Sequence, residues 1–328
     1  GFPRPDIVVQ INACDSQGKA AQIVSEHYGI PLFCFDIPLT TYMEPASRPD
    51  YIEFMASQYA DFITWAEKAL GRKFDDGQFI ETVYNATRSL NLWGQIVSLN
   101  KTVPAPLDER HLFTLFTPML LGRHKPEVVS FHERLLAEVQ DRVRDGISAL
   151  GVERLRLLHE GQPPWYALNL LRYPAKYGAV VVGSFYTFCI ALTPFSVENG
   201  RWQPQPSPRE NGIILKSRDD AVRFLARWYL EAQFFKRLLH VPGKLDVVPS
   251  LARDWGAKGV IIHLNRGCPG YTIGNMELKT LLQEQGIAAV TYEGSMADRR
   301  EFSATQVTDR FDSFFESLGL KPVQTTTK

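Results

Sequence analysis

Two of the four cysteines occupy matching positions. Cys14 follows the apolar run 6–12 (DIVVQIN) and Cys268 follows the apolar run 259–264 (GVIIHL), and each stands just before a helical pattern. Unpaired amides at the start of a helix give that end a partial positive charge, which favours a thiolate. We interpret Cys14 and Cys268 as candidate ligands of one shared metal centre. The spacing of the cysteines does not identify the metal, because no CxxC pair is present. The alternative, that both cysteines are small buried apolar residues without a ligand role, stays open.

The other two cysteines favour a packing role. Cys34 lies inside the apolar run PLFCF, and Cys189 lies within an apolar stretch that follows a valine-rich strand. Four widely spaced cysteines in a chain of 328 residues, without an export signal, predict reduced thiols rather than disulfides.

Polar side chains also stand at the ends of predicted strands. In an open α/β sheet the binding crevice lies beyond the carboxyl ends of the strands. Glu160 and Glu293 are carboxylates in such positions, suited to proton transfer or to holding a substrate group, and equally to a helix N-terminus. Ser184 and Tyr186 close the valine-rich strand, whereas His263 lies inside a strand and is expected to be a core histidine.

Several common motifs are absent from the sequence. It contains no G-x-x-x-x-G-K-[ST] phosphate loop, no G-x-G-x-x-G after a strand and no G-x-S-x-G elbow. Any ATP must therefore be handled by another polypeptide, and neither the usual dinucleotide signature nor a hydrolase site is indicated.

The elements that must position these residues alternate along the chain. The pattern predicts strand, helix and strand in residues 6–35, helices throughout 49–147, and a second alternation from 155 to 317 with a long Pro-rich loop at 196–211. We therefore predict an α/β fold of two doubly wound parallel-sheet lobes with an intervening helical region. The expected boundaries are 1–45 for the first lobe, 46–150 for the helical region and 151–328 for the second lobe.

Composition narrows the class of protein further. The chain exceeds the roughly 250 to 300 residues at which single cores stop growing, which favours two lobes. With 36 basic and 36 acidic residues and no run of like charge, nucleic acid is an unexpected partner. The N-terminus lacks a signal-peptide pattern, and polar residues interrupt the longest apolar stretch, 178–195. A cytoplasmic protein without a membrane span is expected.

Four stretches resemble the family of benzoyl-CoA reductase and the 2-hydroxyacyl-CoA dehydratases. They cover almost the whole chain in the family's order and are, in sequence, PDIVVQINACDSQGKAAQIVSEHYGIPLFCFDIP, LLHEGQPPWYAL, GAVVVGSFYT and HLNRGCPGYTIGNMELKTLLQEQGIAAVTYEGSMADRREFSATQVTDRFDSFFESLGL. The last is the most specific, because it joins a cysteine turn to an acidic EG-x-x-AD-x-R-x-F turn.

The resemblance implies a cofactor and partners. Members of that family pair two homologous subunits in a heterodimer, and each subunit holds a [4Fe-4S] cluster with three cysteines. Cys14 and Cys268 match the second and third ligands, and we expect the first on a segment upstream of Gly1. Separate ATP-hydrolysing, electron-activating subunits or an activator protein deliver the electron. The substrate is an acyl-CoA, for which we expect Glu160 and Glu293 to line the acyl pocket and Ser184 and Tyr186 to contact the thioester.

Three functions remain open on the sequence. The first is the cluster-bearing subunit of an ATP-dependent benzoyl-CoA reductase, and the second is a subunit of a 2-hydroxyacyl-CoA dehydratase, a lyase that works through a ketyl radical. The third is a non-catalytic two-lobed protein that binds a small ligand with inert cysteines. Arg299 and Arg300 could meet phosphates, but a solvated charged turn is the preferred interpretation.

Overall fold

The structure is a computed structural model that describes residues 3–38, 48–233 and 240–323. The chain forms two compact units: the first joins Gly1–Val83 to Gly212–Glu231, and the second joins Tyr84–Asn211 to Ala232–Lys328. The boundary expected between residues 45 and 46 lies outside the described residues.

The amino-terminal half begins with one βαβ unit and continues in helices. In order, its elements are β1 (Val8–Ile11), α1 (Asp15–Tyr28), β2 (Leu32–Phe35), α2 (Pro49–Leu70), α3 (Asp76–Ser98), α4 (Glu109–Leu115), α5 (Thr117–Gly122) and α6 (Pro126–Arg144). β1 and β2 are parallel, as expected for strands joined by a helix. Helix α1 ends at Gly29, as the sequence predicts.

The carboxyl-terminal half alternates strands and helices. Its elements are β3 (Leu155–Glu160), a 3₁₀ segment (Trp165–Tyr177), β4 (Ala179–Ser184), α7 (Phe185–Cys189), β5 (Phe195–Glu198), β6 (Arg201–Pro204), α8 (Arg218–Glu231), α9 (Val241–Asp254), β7 (Gly259–Asn265), α10 (Pro269–Thr272), α11 (Asn275–Glu284), β8 (Ala288–Gly294), a 3₁₀ turn (Arg299–Glu301) and α12 (Ala304–Ser317).

The main sheet of the second unit has four parallel strands in the order β4-β3-β7-β8. From β3 the chain moves outward to β4, then returns to the other side of β3 to form β7 and β8. Strand order therefore reverses between β3 and β7. Helices cover both faces, with α12 on one and α9 and α11 on the other. The predicted α/β class with a doubly wound parallel sheet is confirmed.

Opposite faces of the sheet have different roles. On one face Leu157, Ile261 and Tyr292 pack against Phe311 and Phe315, which are spaced by four residues on α12. Burying each large apolar side chain contributes roughly 1.5–3 kcal/mol. Glu160 and Ile262 are paired in register and point to the other face, which α9 covers. A buried carboxylate therefore stands on a firmly packed sheet.

Three details differ from the sequence predictions. Part of the expected loop 196–211 is an antiparallel hairpin, β5 with β6, whose turn residues Asn199 and Gly200 have φ of 51° and 74°. The helix expected over 165–177 is a 3₁₀ segment with a kink at Ala167. The helix expected to reach residue 240 is described to Glu231, and residues 234–239 lie outside the described part.

Within the described ranges, no helix combines the length and the apolar character needed to cross a bilayer.

Candidate functional site

Strand order reverses between β3 and β7, and we call the edge formed by the carboxyl ends of these two strands and the loops that follow them the crevice. In doubly wound sheets this switch point is where ligands bind, because the connections leave the sheet in opposite directions. β3 ends in Glu160, and β7 ends in Asn265. The loop after β7 carries Cys268. Two of the residues selected from the sequence, Glu160 and Cys268, therefore belong to the same crevice.

A hydrogen-bonded turn shapes the floor of this crevice. Gly161 has φ of 104°, and a Cβ there would stand 3.1 Å from the carbonyl oxygen of His263. The next residue, Gln162, accepts a hydrogen bond from Asn265 Nδ2 at 2.7 Å through its side chain, and its carbonyl accepts one from His263 Nδ1. These contacts require glycine at position 161 and hold the ends of β3 and β7 together.

Asn265 also organises the loops after β7 and β8. Its Oδ1 accepts hydrogen bonds from the backbone amides of Gly267 and Met296, both at 3.2 Å. Its backbone carbonyl accepts one from the Cys268 amide at 3.2 Å and one from Thr272 Oγ1 at 2.7 Å. The sequence analysis missed this residue, because nothing in a strand-terminal Asn indicates so many simultaneous contacts.

Cys268 is a free, partly exposed thiol at the entrance of α10. It interacts electrostatically with buried Lys244 and with Tyr186. This matches the predicted position directly after a strand and before a helix.

Glu160 is 1% exposed, and among the described residues its Oε1 has no hydrogen-bond partner. Burial raises the pKa of Glu160 to about 7, against the opposing effect of the Lys244 ammonium. Burial likewise lowers the pKa of Lys244, and Glu160 and then Cys268 oppose that shift. Near neutral pH this carboxyl group can therefore give or take a proton.

Ser184 and Tyr186 lie at the end of β4 with different environments. Ser184 is fully buried and caps α7, accepting a hydrogen bond from the Thr187 amide at 2.9 Å. Burial, aided by the negative charge of Cys268, raises the pKa of Tyr186 to about 12. Tyr186 belongs to an aromatic cluster, with ring centroids 5.8 Å from Phe113, 5.9 Å from Trp165 and 5.7 Å from Tyr271. Tyr186 thus lies near Cys268, whereas the Ser184 hydroxyl already has a capping role.

Glu293 has a different environment from Glu160. It lies within β8, and β7 separates it from β3. Its side chain is 54% exposed and forms an ion pair with Arg266 at 2.7 Å, which lowers the pKa of the carboxyl group. Both residues line a cavity of about 510 Å³ beside the start of α12, together with Arg310. The structure does not bring the two predicted carboxylates into one cluster.

The remaining cysteines lie elsewhere. In the first unit Cys14 is exposed, stands between β1 and α1 as predicted, and takes part in no disulfide. Cys189 is fully buried, which agrees with packing. Cys34 is exposed, so the packing interpretation is wrong for it: it lies on a strand of a two-stranded sheet, which leaves more of its surface uncovered than a central strand would.

The thiols of Cys14 and Cys268 are each suited to metal ligation, because both are accessible and neither is in a disulfide. In the described ranges no three His, Cys, Asp or Glu residues gather as a complete metal site. Each unit contributes one accessible cysteine that follows a strand and precedes a helix, Cys14 in the first unit and Cys268 in the second.

Glu109 is a further buried carboxylate that sequence reasoning missed. It is 0% exposed and accepts a hydrogen bond from Thr187 Oγ1 at 3.0 Å. Burial raises its pKa to about 8, although hydrogen bonds from Ser184 and Thr187 oppose the shift. In the sequence Asp108-Glu109 resembles an ordinary acidic helix start, so only the tertiary packing shows its proximity to Ser184.

Glu160 and the loop that carries Cys268 stand at the carboxyl ends of adjacent parallel strands, so the chain is a doubly wound α/β protein with a candidate ligand site at that edge of its sheet. The family model of the 2-hydroxyglutaryl-CoA dehydratase D-component matches residues 1–318. The chain belongs to this family.

Three relatives illustrate the family's range. The chain is 26% identical over 324 residues to the (R)-phenyllactyl-CoA dehydratase alpha subunit of Clostridium sporogenes, covering 98% of this chain and 72% of the relative. It is 23% identical to the (R)-2-hydroxyglutaryl-CoA dehydratase alpha subunit of Acidaminococcus fermentans, covering 97% and 61%. It is 22% identical to a subunit of the benzoyl-CoA reductase of Thauera aromatica, covering 98% and 72%. The chain thus spans about two thirds of the length of these relatives.

Proposed function

We propose that this chain is the cluster-bearing subunit of an enzyme that passes low-potential electrons to an acyl-CoA, with Cys14 and Cys268 as two ligands of a [4Fe-4S] cluster. The observation that carries the proposal is the free thiol of Cys268 at the switch point, beside buried Glu160 and Lys244. Family membership supports it, since the named relatives act on acyl-CoA thioesters.

Within this proposal the residues of the chain have separate roles. When bound, the cluster supplies one electron at low potential. Glu160, which is uncharged below about pH 7, holds the proton that the reduced or dehydrated substrate exchanges. The ring cluster around Tyr186 excludes water from the reacting end of the acyl group. A homologous cluster-bearing subunit and an ATP-hydrolysing electron donor complete the assembly, which we place in the cytoplasm.

Reduction of an aromatic acyl-CoA is the first candidate reaction. Phe113, Trp165, Tyr186 and Tyr271 form a cluster of rings near Cys268, in which Trp165 is the exposed member. Edge-to-face contacts of this kind, extended from Trp165, suit a phenyl ring. Benzoyl-CoA is therefore the first substrate to assay.

Dehydration of a 2-hydroxyacyl-CoA is the second candidate, favoured by the names of the relatives with 26% identity. The two reactions are separated by incubating the complete complex with benzoyl-CoA and with (R)-phenyllactyl-CoA under reducing, ATP-supplied conditions. Turnover of the hydroxyacyl thioester alone would eliminate the reductase candidate.

Anaerobic purification followed by iron analysis tests the proposal itself. We expect about four irons per chain in the wild type. Cys268→Ser and Cys14→Ser should each lose the iron and the visible absorption. Cys34→Ser is the matched control, because Cys34 is an exposed, free cysteine in the same unit as Cys14. A colourless wild-type protein without iron would instead favour the non-catalytic binding function.

A further inference from the structure

Lys244 is a buried lysine with no carboxylate within ion-pair distance in the part of the chain that the structure describes. It lies in the first turn of α9 and is 1% exposed. An uncompensated buried ammonium is costly, because the protein interior replaces its water shell poorly. Such a residue needs a local reason for its position.

All three donors of the Lys244 ammonium are in use. Nζ donates to the carbonyl oxygens of Tyr271 and Ile273, both at 2.7 Å, and to Asn275 Oδ1 at 3.1 Å. These acceptors lie where α10 ends and α11 begins, and carbonyls at a helix end lack partners within the helix. Lys244 therefore fastens the segment that starts at Cys268.

A second contact from α9 holds the same segment. Gly274 has φ of 81°, and a Cβ there would stand 2.9 Å from Val241 Cγ1. Val241 and Lys244 lie one turn apart on α9. This helix therefore holds the turn after Cys268 in two ways, by the packing of Val241 and by the hydrogen bonds of Lys244. The other end of the segment is fixed to Asn265 on β7.

The charge of Lys244 interacts electrostatically with acidic groups at the end of β3, in the loop after β7 and on α11. The ammonium interacts most strongly with Glu160, then with Cys268 and then with Glu277. Its three hydrogen-bond acceptors are neutral and would accept from an uncharged donor as well, so the hydrogen bonds alone do not require a charged side chain at this position.

We propose that Lys244 is a positioning residue for the centre held by Cys268, fixing the thiolate through the turn 271–275 and setting the reduction potential through its buried positive charge. The inference rests on the proposed cluster. A fixed cation beside the thiolate stabilises the state with one more electron, because net charge near a cluster is one of the determinants of its potential.

Two neutral substitutions separate the charge from the hydrogen bonds. Lys244→Gln keeps a donor and removes the charge, whereas Lys244→Met removes both. In iron-replete Lys244→Gln the midpoint potential, followed by titration of the visible spectrum, should shift to a more negative value. Lys244→Met should also bind iron about 10- to 100-fold more weakly, the usual effect of removing a residue that supports a metal ligand.

Lys258→Gln is the matched control. Lys258 is exposed and precedes β7, so it lies roughly 20 Å from Cys268 along that strand, and its substitution should leave potential and iron content unchanged. If iron-replete Lys244→Gln keeps the wild-type midpoint potential, the inference about Lys244 is wrong and the proposed function still stands. The same conclusion would follow if both Lys244 variants fail to fold. Wild-type protein without iron would overturn the proposed function and the inference with it.

Discussion

Glu160 owes its chemical character to its position at the end of a central strand. The carboxyl group is enclosed between the sheet and α9, and its Oε1 finds no hydrogen-bond partner within the described residues. Most buried polar atoms are paired, and an unpaired one next to a crevice points to a group that binds or reacts there. Its pKa of about 7 means that both protonation states are accessible under ordinary conditions.

Glu160→Gln keeps the shape of this side chain and removes its ability to transfer a proton. We expect the turnover of the acyl-CoA to fall about 10²- to 10⁴-fold with unchanged iron content. Steady-state kinetics and iron analysis on the same preparation measure both quantities. Glu293→Gln provides the comparison, and we expect a smaller change because Glu293 is half exposed and paired with Arg266. Loss of iron in Glu160→Gln would assign Glu160 a structural role instead.

At the scale of elements, the turn after β3 determines whether the crevice keeps its form. Residue 161 must adopt a positive φ while its Cα approaches the backbone of β7, and Gln162 must reach Asn265 at the same time. A small displacement of this turn would therefore move Glu160 away from Cys268.

Gly161→Ala tests the importance of the turn. The added methyl group meets the His263 carbonyl, and the backbone is strained, so we expect a destabilisation of about 1–3 kcal/mol together with reduced turnover. Chemical denaturation measures the first effect. Gly18→Ala is the control: it lies in α1, has no atom within 4 Å of the added methyl group, and should raise stability by about 0.5–1 kcal/mol. Equal stability of Gly161→Ala and wild type would contradict the close approach between this turn and β7.

The elements themselves were largely predictable from the sequence. Buried strands such as Ala179–Ser184 are continuous apolar runs, and α12 spans the predicted residues 304–317 because its apolar residues recur at helical spacing. The hairpin of β5 and β6 was missed although Asn199-Gly200 is a typical hairpin turn, since the prolines around it favoured a loop.

The site was predictable only where its residues follow strands directly. Glu160 and Cys268 could be selected on that ground, because the carboxyl ends of parallel strands share an edge. Lys244 could not, since a lysine in an amphipathic helix is normally exposed and its burial depends on packing between α9 and the turn 271–275. The burial of Glu109 was not predictable either, because it too depends on tertiary packing.

For the whole molecule, buried titratable groups set the pH range of stability. Burial lowers the pKa of His132 to about 4, of His159 to about 3 and of His263 to about 4. The stability that these three neutral histidines contribute is lost as pH falls below 6.5, the pKa that they have in the unfolded chain. Glu109 and Glu160 have raised pKa values, so the stability that they contribute is fully present below pH 4.5. It is lost as pH rises through about 8 for Glu109 and about 7 for Glu160.

Between pH 6.5 and 8.5 the folded pKa values of Glu109 and Glu160 are crossed, so these two carboxyl groups should lower the melting temperature over that range. Glu109→Gln removes one of them while keeping an acceptor for Thr187. We expect a flatter profile, with a melting temperature at pH 8.5 about 2–4 °C above wild type for each kcal/mol recovered. Calorimetry at several pH values measures this. Parallel profiles for wild type and Glu109→Gln would show that Glu109 does not titrate in this range.

The first unit is built from two separate stretches of chain, Gly1–Val83 and Gly212–Glu231. Within the described ranges, Ile52 and Met55 on α2 share one apolar cluster with Ala226 and Leu230 on α8. During translation at about 5–20 residues per second, residues 84–211 emerge over roughly 6 to 25 s before those partners exist. The apolar face of α2 in the nascent chain therefore stays exposed to solvent during this interval. We expect a ribosome-associated chaperone to bind the nascent chain most strongly in the same period.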